Sequence, residues 1–263
     1  EQGVPVRLAV ARTYELEHNW PEAIQTYEHW IAAFPTNRER PHAEFALALA
    51  NYQAGLETNA LNLFTNFVAQ FPTNELAPVA QYWVADCFSR LADFRSAEEN
   101  YQLLFQKWPP SDLTYQARLM AGRAAVARQG YADAIRYFTN LTFDLTCPPG
   151  LKAQALFEYG DATTRLESAD TNKPLANFEE AIRIFSKLQQ LYPTNDLAAL
   201  ARGRMGDCYL QLAAPDPKYY EASAQVYQQV MDAANAGIAA RSQAELGLAV
   251  VFDKQGGKKA EPE

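Results

Sequence analysis

The sequence predicts an all-α protein, a solenoid of about six helix–turn–helix repeats plus one terminal helix, and three observations predict it. The stretch Phe34-Pro35-Thr36-Asn37 returns as Phe71-Pro72-Thr73-Asn74, as Trp108-Pro109-Pro110-Ser111 and as Tyr192-Pro193-Thr194-Asn195. The first three copies stand 37 residues apart, a fixed period that marks stacked repeats. Between the copies, apolar residues recur on helical spacing, as in Ala23, Ile24, Tyr27, Trp30 and Ile31. Small residues also return at one phase of successive helices.

The elements come in order. A first helix over 4–17 breaks at His18-Asn19, and Trp20-Pro21-Glu22 opens the second, with proline in a first turn where its missing N–H costs nothing. That helix stops at Phe34-Pro35, because proline keeps its predecessor out of the helical region, and Asn37 or the polar residues after it can cap the next helix. The next pairs are 41–54 with 58–71, 76–91 with 96–108, and 113–128 with 132–145. The fifth pair is 151–166 with 175–191, joined by a longer polar connection over 167–173. The sixth is 197–212 with 219–233, joined by Ala213-Ala214-Pro215-Asp216-Pro217. A last helix, 238–252, has no partner in this chain.

Residues 1–253 therefore read as one array, with repeats over 4–37, 41–74, 76–111, 113–148, 151–195 and 197–236. Residues 254–263, polar and with Gly256-Gly257, read as a disordered tail or linker. The start at Glu1, without methionine or apolar leader, reads as a processed form or a part of a longer protein.

Superposing the repeats shows what packing requires. One position of the first helices holds Val6, Ala43, Ala80, Ala117, Ala155 and Ala201. Five residues on stand Ala11, Ala48, Ala85, Gly122, Gly160 and Gly206, with Gly247 in the last helix. A glycine inside a helix costs about 1 kcal/mol against alanine, so its recurrence at one phase predicts a crossing too close for a side chain. In the second helices Ala23, Ala60, Ala97, Ala134 and Ala181 are each followed four residues later by Tyr27, Phe64, Tyr101, Phe138 and Phe185. The small residue admits a neighbour and the aromatic fills the space between repeats.

Composition excludes several functions. Of 263 residues 48% are hydrophobic and 21% charged, as in a folded soluble domain, and the net charge of −8 argues against nucleic acid, whose phosphates need a basic face. No run approaches the ~18 apolar residues of a membrane-spanning helix. Catalytic motifs are missing, and His18, His29 and His42 lack metal-ligand spacing. No catalytic residue, metal site or cofactor is expected. Cys87 and Cys208 occupy one phase of repeats three units apart, too far for a disulfide, and with Cys147 they read as buried free thiols.

Gly or Ala, an aromatic three residues later (Tyr14, Phe88, Tyr209), then alanine, aromatic and terminal proline resemble the tetratricopeptide repeat over nearly the whole chain. Ala125 departs from the pattern in the fourth unit, and Ser223 stands for the alanine before Tyr227 in the sixth. The 37-residue spacing and its joints also resemble bacterial envelope tetratricopeptide proteins, akin to the outer-membrane assembly lipoprotein and the Tol-Pal-associated coordinator, which implies the periplasm or envelope.

The resemblance implies a right-handed solenoid whose first helices line a concave groove for extended or helical peptides. Carried over, the groove residues are the aromatics Phe45, Tyr82 and Phe157 beside the charges Asp86, Arg90, Arg123, Asp161, Arg165 and Asp207. Aromatics and arginine are common interface anchors. Asp86–Arg90 and Asp161–Arg165 are also i, i+4 pairs that can simply support their own helices. The Lys/Asn set that grips a C-terminal carboxylate is not matched, since aspartate occupies three of its positions. The expected function is a non-enzymatic scaffold for a protein or peptide partner, as in a multi-protein complex, without nucleic acid or direct membrane insertion. The alternatives are the regulatory or substrate-presenting region of a longer enzyme, or a structural subunit of a complex.

Overall fold

The computed structural model describes the backbone of residues 3–234 and 236–259. The expected role of the Val6 side chain and the end of the expected tail, 260–263, lie outside the described residues. Helices run α1 (Gly3–Leu16), α2 (Trp20–Ala33), α3 (Arg40–Gln53), α4 (Glu57–Gln70), α5 (Ala77–Arg90), α6 (Phe94–Lys107) and α7 (Thr114–Ala127). They continue as α8 (Tyr131–Phe143), α9 (Pro149–Arg165), α10 (Ala176–Leu191), α11 (Asp196–Leu212), α12 (Tyr219–Asp232) and α13 (Ile238–Lys259). No strand occurs among the described residues. The chain divides between Arg128 and Gln129 into two compact units, α1–α7 and α8–α13, so the fourth predicted pair straddles the division. Helix α13 runs on through Lys254–Lys259, where the sequence reads as a tail, and a side chain at Gly256 would meet nothing within 4 Å.

The repeated joints share one geometry. Phe34, Phe71, Trp108 and Tyr192 each close a helix with φ between −124° and −135°, and each donates its N–H to the carbonyl four residues back. The polar residue does not usually cap the next helix, as its place in the motif would suggest. The Oδ1 atoms of Asn37 and Asn74 and the Oγ of Ser111 accept the N–H two residues on, at 2.9, 2.9 and 3.2 Å, within a turn that precedes the helix. These side chains compete locally with helix formation and delay the start of α3, α5 and α7. Only Asn195 is itself the cap, of α11. Within pairs, His18, Gly55, Ala92 and Gln129 take positive φ of 55°, 74°, 59° and 67°, again at the 37-residue period. Only one of the four is glycine, and the others carry the strain of a Cβ in the left-handed region.

The core is as the repeat pattern requires. Ala23, Ala60, Ala97, Ala134 and Ala181, and the aromatics four residues after each, are all buried, as are Ser223 and Tyr227. Ser223 fills the alanine position by donating its hydroxyl to the Gly206 carbonyl at 2.9 Å, which satisfies a polar group in the core. A Cβ added to Gly160 would lie 2.4 Å from the Phe185 ring, and one on Gly206 2.5 Å from the Tyr227 ring. The predicted close crossings are real. Gly247 also meets Tyr227, at 2.3 Å, but from the following helix, so it does not share the packing phase in which the sequence groups it.

Candidate functional site

The predicted groove residues of α3, α5 and α7 pack chiefly within their own unit. The Phe45 ring meets Phe64 and Phe67 of α4 with centroids 5.6 and 5.7 Å apart, and Tyr82 meets Tyr101 of α6 at 5.3 Å. Asp86 accepts hydrogen bonds from the hydroxyls of Tyr52 and of Tyr101, the latter at 3.2 Å. Arg90 approaches Asp86 at 3.7 Å and Glu57 at 3.8 Å, and its guanidinium lies 3.8 Å above the Tyr52 ring. Burial, and then the Asp86 carboxylate, push the Tyr101 phenol far up, so it remains a donor. Asp86–Arg90 is thus part of a polar knot joining α3, α4, α5 and α6. Arg123 is half-buried and places an Nη1 3.8 Å from Met120 Sδ.

In α9–α12 the charged residues gather. Phe157 again packs inward, its centroid 5.9 Å from Phe185. Asp161, Arg165 and Asp207, however, line one open cleft of 280 Å³ together with Thr164, Phe178, Arg204, Cys208 and Gln211. A second hollow shares Thr164, Arg165 and Phe178 and is floored by the 166–174 connection, the enlarged turn of the fifth pair. Arg204 spans both carboxylates, with Nε 3.1 Å from Asp161 and Nη1 3.4 Å from Asp207. Asp207 also accepts the Tyr227 hydroxyl at 2.6 Å and the Gln243 amide at 2.8 Å.

One difference between Asp207 and Asp161 is a single hydroxyl. The repeat aromatic facing Asp207 is tyrosine, which donates; the one in the same place beside Asp161 is Phe185, which cannot. Asp161 depends on Arg204 instead. Burial raises its carboxyl above the ordinary carboxylate value, and Arg204 offsets this only in part. An acid whose folded value is raised above its unfolded one is a penalty at neutral pH, relieved as the pH falls through the raised value. Asp161→Asn should remove that component. Urea midpoints at pH 7 and pH 4 should therefore show the native protein gaining on the variant at the lower pH, and a constant difference would refute it.

Arg165 makes no ion pair among the described residues and is exposed at the cleft rim. The cleft is therefore a carboxylate–arginine network, two aspartates sharing Arg204, with the exposed Arg165 at its edge and an aromatic wall, Phe178. Arg204, Thr164, Phe178 and Gln211 have no repeat signature. Arg204 stands where Trp83 does in an earlier repeat, and its reach to Asp161 exists only through the packing of α11 on α9. No group of His, Cys, Asp and Glu among the described residues could hold a metal ion, and none of their helices is long and apolar enough to cross a membrane. Cys87, Cys147 and Cys208 are buried thiols outside any disulfide, and burial pushes the Cys87 and Cys208 thiols up to about 12, so neither ionises at neutral pH.

No protein-family model and no curated protein sequence matches the chain. Solved structures do match. A tetratricopeptide repeat protein from Parabacteroides merdae superposes with a TM-score of 0.65 at 14% identity, over 98% of this chain and 93% of that one. The fold is that of the tetratricopeptide repeat. MamA from Desulfovibrio magneticus superposes at 0.56 with 12% identity, over 74% of this chain and 98% of its own. Yeast Tom70 does so at 0.53 with 14% identity, over 89% of this chain and 44% of its own. At these identities the tetratricopeptide likeness concerns fold alone.

Proposed function

We propose that this tetratricopeptide array is a non-enzymatic scaffold that holds an extended segment of a protein partner in the α9–α11 cleft. The observation that carries the reading is the exposed Arg165 side chain beside Phe178, at the rim of a cleft in which Arg204 is shared by Asp161 and Asp207. An acidic side chain of the partner would pair with Arg165 while an apolar neighbour lies on Phe178. Arginine and aromatic anchors of this kind dominate protein interfaces. The aromatics Phe45, Tyr82 and Phe157 act as internal packing in this reading, and their truncation would disturb folding and binding together.

The net charge of −8 supports a protein rather than a nucleic-acid partner. The Phe-Pro-Thr-Asn joints have a mechanical role in every copy, so they give no argument for the bacterial envelope. A photocrosslinking residue at Gln211 tests the cleft in cells. It should yield a defined crosslinked partner, and Arg165→Glu should reduce the yield at least tenfold without changing the urea midpoint. No crosslink, or one indifferent to the charge reversal, would overturn the assignment.

A further inference from the structure

The first helices of the pairs turn two faces to their neighbours. One meets the second helix of the preceding pair through positions spaced i, i+4 and i+7. Ala80, Val84 and Cys87 of α5 cluster with Phe64 and Phe67 of α4, and Ala201, Met205 and Cys208 of α11 with Phe185 and Leu188 of α10. In α13 this spacing falls on Ala244, Leu248 and Val251, against Tyr227 and Val230 of α12.

The other face, two, five and eight residues beyond the first of these, receives the second helix of the same pair. It is Tyr82, Ala85 and Phe88 in α5, and Gly203, Gly206 and Tyr209 in α11. Tyr82 meets Tyr101 of α6, Gly206 is filled by Tyr227, and Tyr209 stacks on Tyr219 of α12 with centroids 6.1 Å apart. In α13 the corresponding residues are Leu246, Ala249 and Phe252. Leu246 is 68% and Phe252 63% exposed.

The flanks of this face can be read from the same pairs. Gln81, next to Tyr82, donates at 2.9 Å to Asn100, which lies three residues after Ala97 in α6. The Thr164 carbonyl, four residues after Gly160, accepts at 3.0 Å from Asn177, four residues before Ala181 in α10. The equivalent places on α13 are Glu245 and Asp253, both exposed.

We propose that this face of α13 docks an amphipathic helix of a protein partner carrying a small residue, an aromatic four residues after it, and basic side chains four before and three after it. The small residue would lie on Ala249, the aromatic would fill the place that Tyr101 or Phe185 fills elsewhere, and the two cations would meet Asp253 and Glu245. A second copy of this chain fits less well. A two-fold antiparallel crossing of α13 at Ala249 would oppose Glu245 to Asp253, and like charges at that range repel. Nor does the second helix of any of the six described pairs supply the cations: the two places hold Asn19 and Thr26, Leu56 and Leu63, Asp93 and Asn100, Gly130 and Tyr137, Asn177 and Ile184, and Tyr219 and Val226. The surface is separate from the Arg165 cleft.

The probe is a fluorescein-labelled peptide of residues 174–192 with Asn177→Lys and Ile184→Lys, titrated with the full chain by fluorescence anisotropy. Saturable binding is expected. It should weaken at least tenfold with the exposed-face variant Leu246→Glu/Phe252→Glu, about tenfold when the peptide carries glutamate at its two altered positions, and not at all with Arg165→Glu. No saturation, or binding indifferent to the α13 variant or to the peptide charge, overturns the proposal. A concentration-dependent dimer in sedimentation that the α13 variant abolishes also overturns it, in favour of a second copy as occupant.

Discussion

Gly206→Val should unfold α11–α13 or lower their stability by about 3 kcal/mol, whereas Gly203→Ala, one turn earlier in the same helix, should raise stability by up to about 1 kcal/mol. Both exchanges remove a glycine from a helix interior, which alone is worth about 1 kcal/mol in favour of alanine. What separates them is space. A Cβ at Gly203 has nothing within 4 Å, and one at Gly206 would enter the Tyr227 ring at 2.5 Å. The ring has nowhere to go. Gly247 of α13 approaches it as well, and its hydroxyl is held by Asp207 at 2.6 Å. Overpacking of this kind typically costs about 1–3 kcal/mol, enough to reverse the propensity gain even for Gly206→Ala. Urea denaturation of the three variants provides the test, and equal midpoints for Gly203→Ala and Gly206→Ala would refute the close crossing.

Arg128→Ala should cost about 3 kcal/mol, a large loss for one substitution. Arg128 comes directly after α7 and grips Glu98 of α6 with two N–H groups, Nε to one carboxylate oxygen and Nη2 to the other at 3.1 Å. The Glu98 side chain is only 10% exposed. Removing the arginine takes this fork of donors from a carboxylate at the core edge, and breaking a buried ion pair from one side costs roughly 3–5 kcal/mol. The same physics predicts that Glu98→Leu/Arg128→Leu loses less than Arg128→Ala alone, because the buried carboxylate is then removed together with its arginine. Thermal or urea unfolding of the single and double variants decides it. A double variant less stable than the single would refute the account.

These two sites mark where the sequence is legible and where it is not. Except at the end of α13, helix limits emerge from proline, glycine and the 37-residue period to within a few residues, because each signal acts on its own backbone. The glycine phase at 160 and 206 is readable, since a repeated helix-breaking cost needs a repeated reason. Gly247 misleads for an instructive cause. Its neighbour is Tyr227 of the preceding pair, and a single helix without a following copy has no second repeat against which to set its register. The pattern places the joints correctly, but not the role of Asn37 and Asn74. An asparagine two residues before a cap and one at the cap look alike in sequence, and only the backbone turn separates them.

Site residues are legible as a set of positions rather than as a site. The same carried-over positions hold Phe45 and Tyr82, which pack into their own pairs, and Arg165, which faces a cleft. The outcome turns on whether the facing second helix offers a ring, a hydroxyl or nothing. Tyr227 gives Asp207 a donor; Phe185 denies one to Asp161, and Arg204 from another repeat takes its place. By itself, the sequence determined the all-α repeat, its period, its punctuation and its small-against-aromatic core, since these are local preferences repeated often enough to be read. The tertiary structure alone decided the Asp161–Arg204–Asp207 network and the open Arg165 cleft, because both bring together side chains from helices distant along the chain, and it left the Leu246–Ala249–Phe252 face exposed by seating the opposite face of α13 on α12.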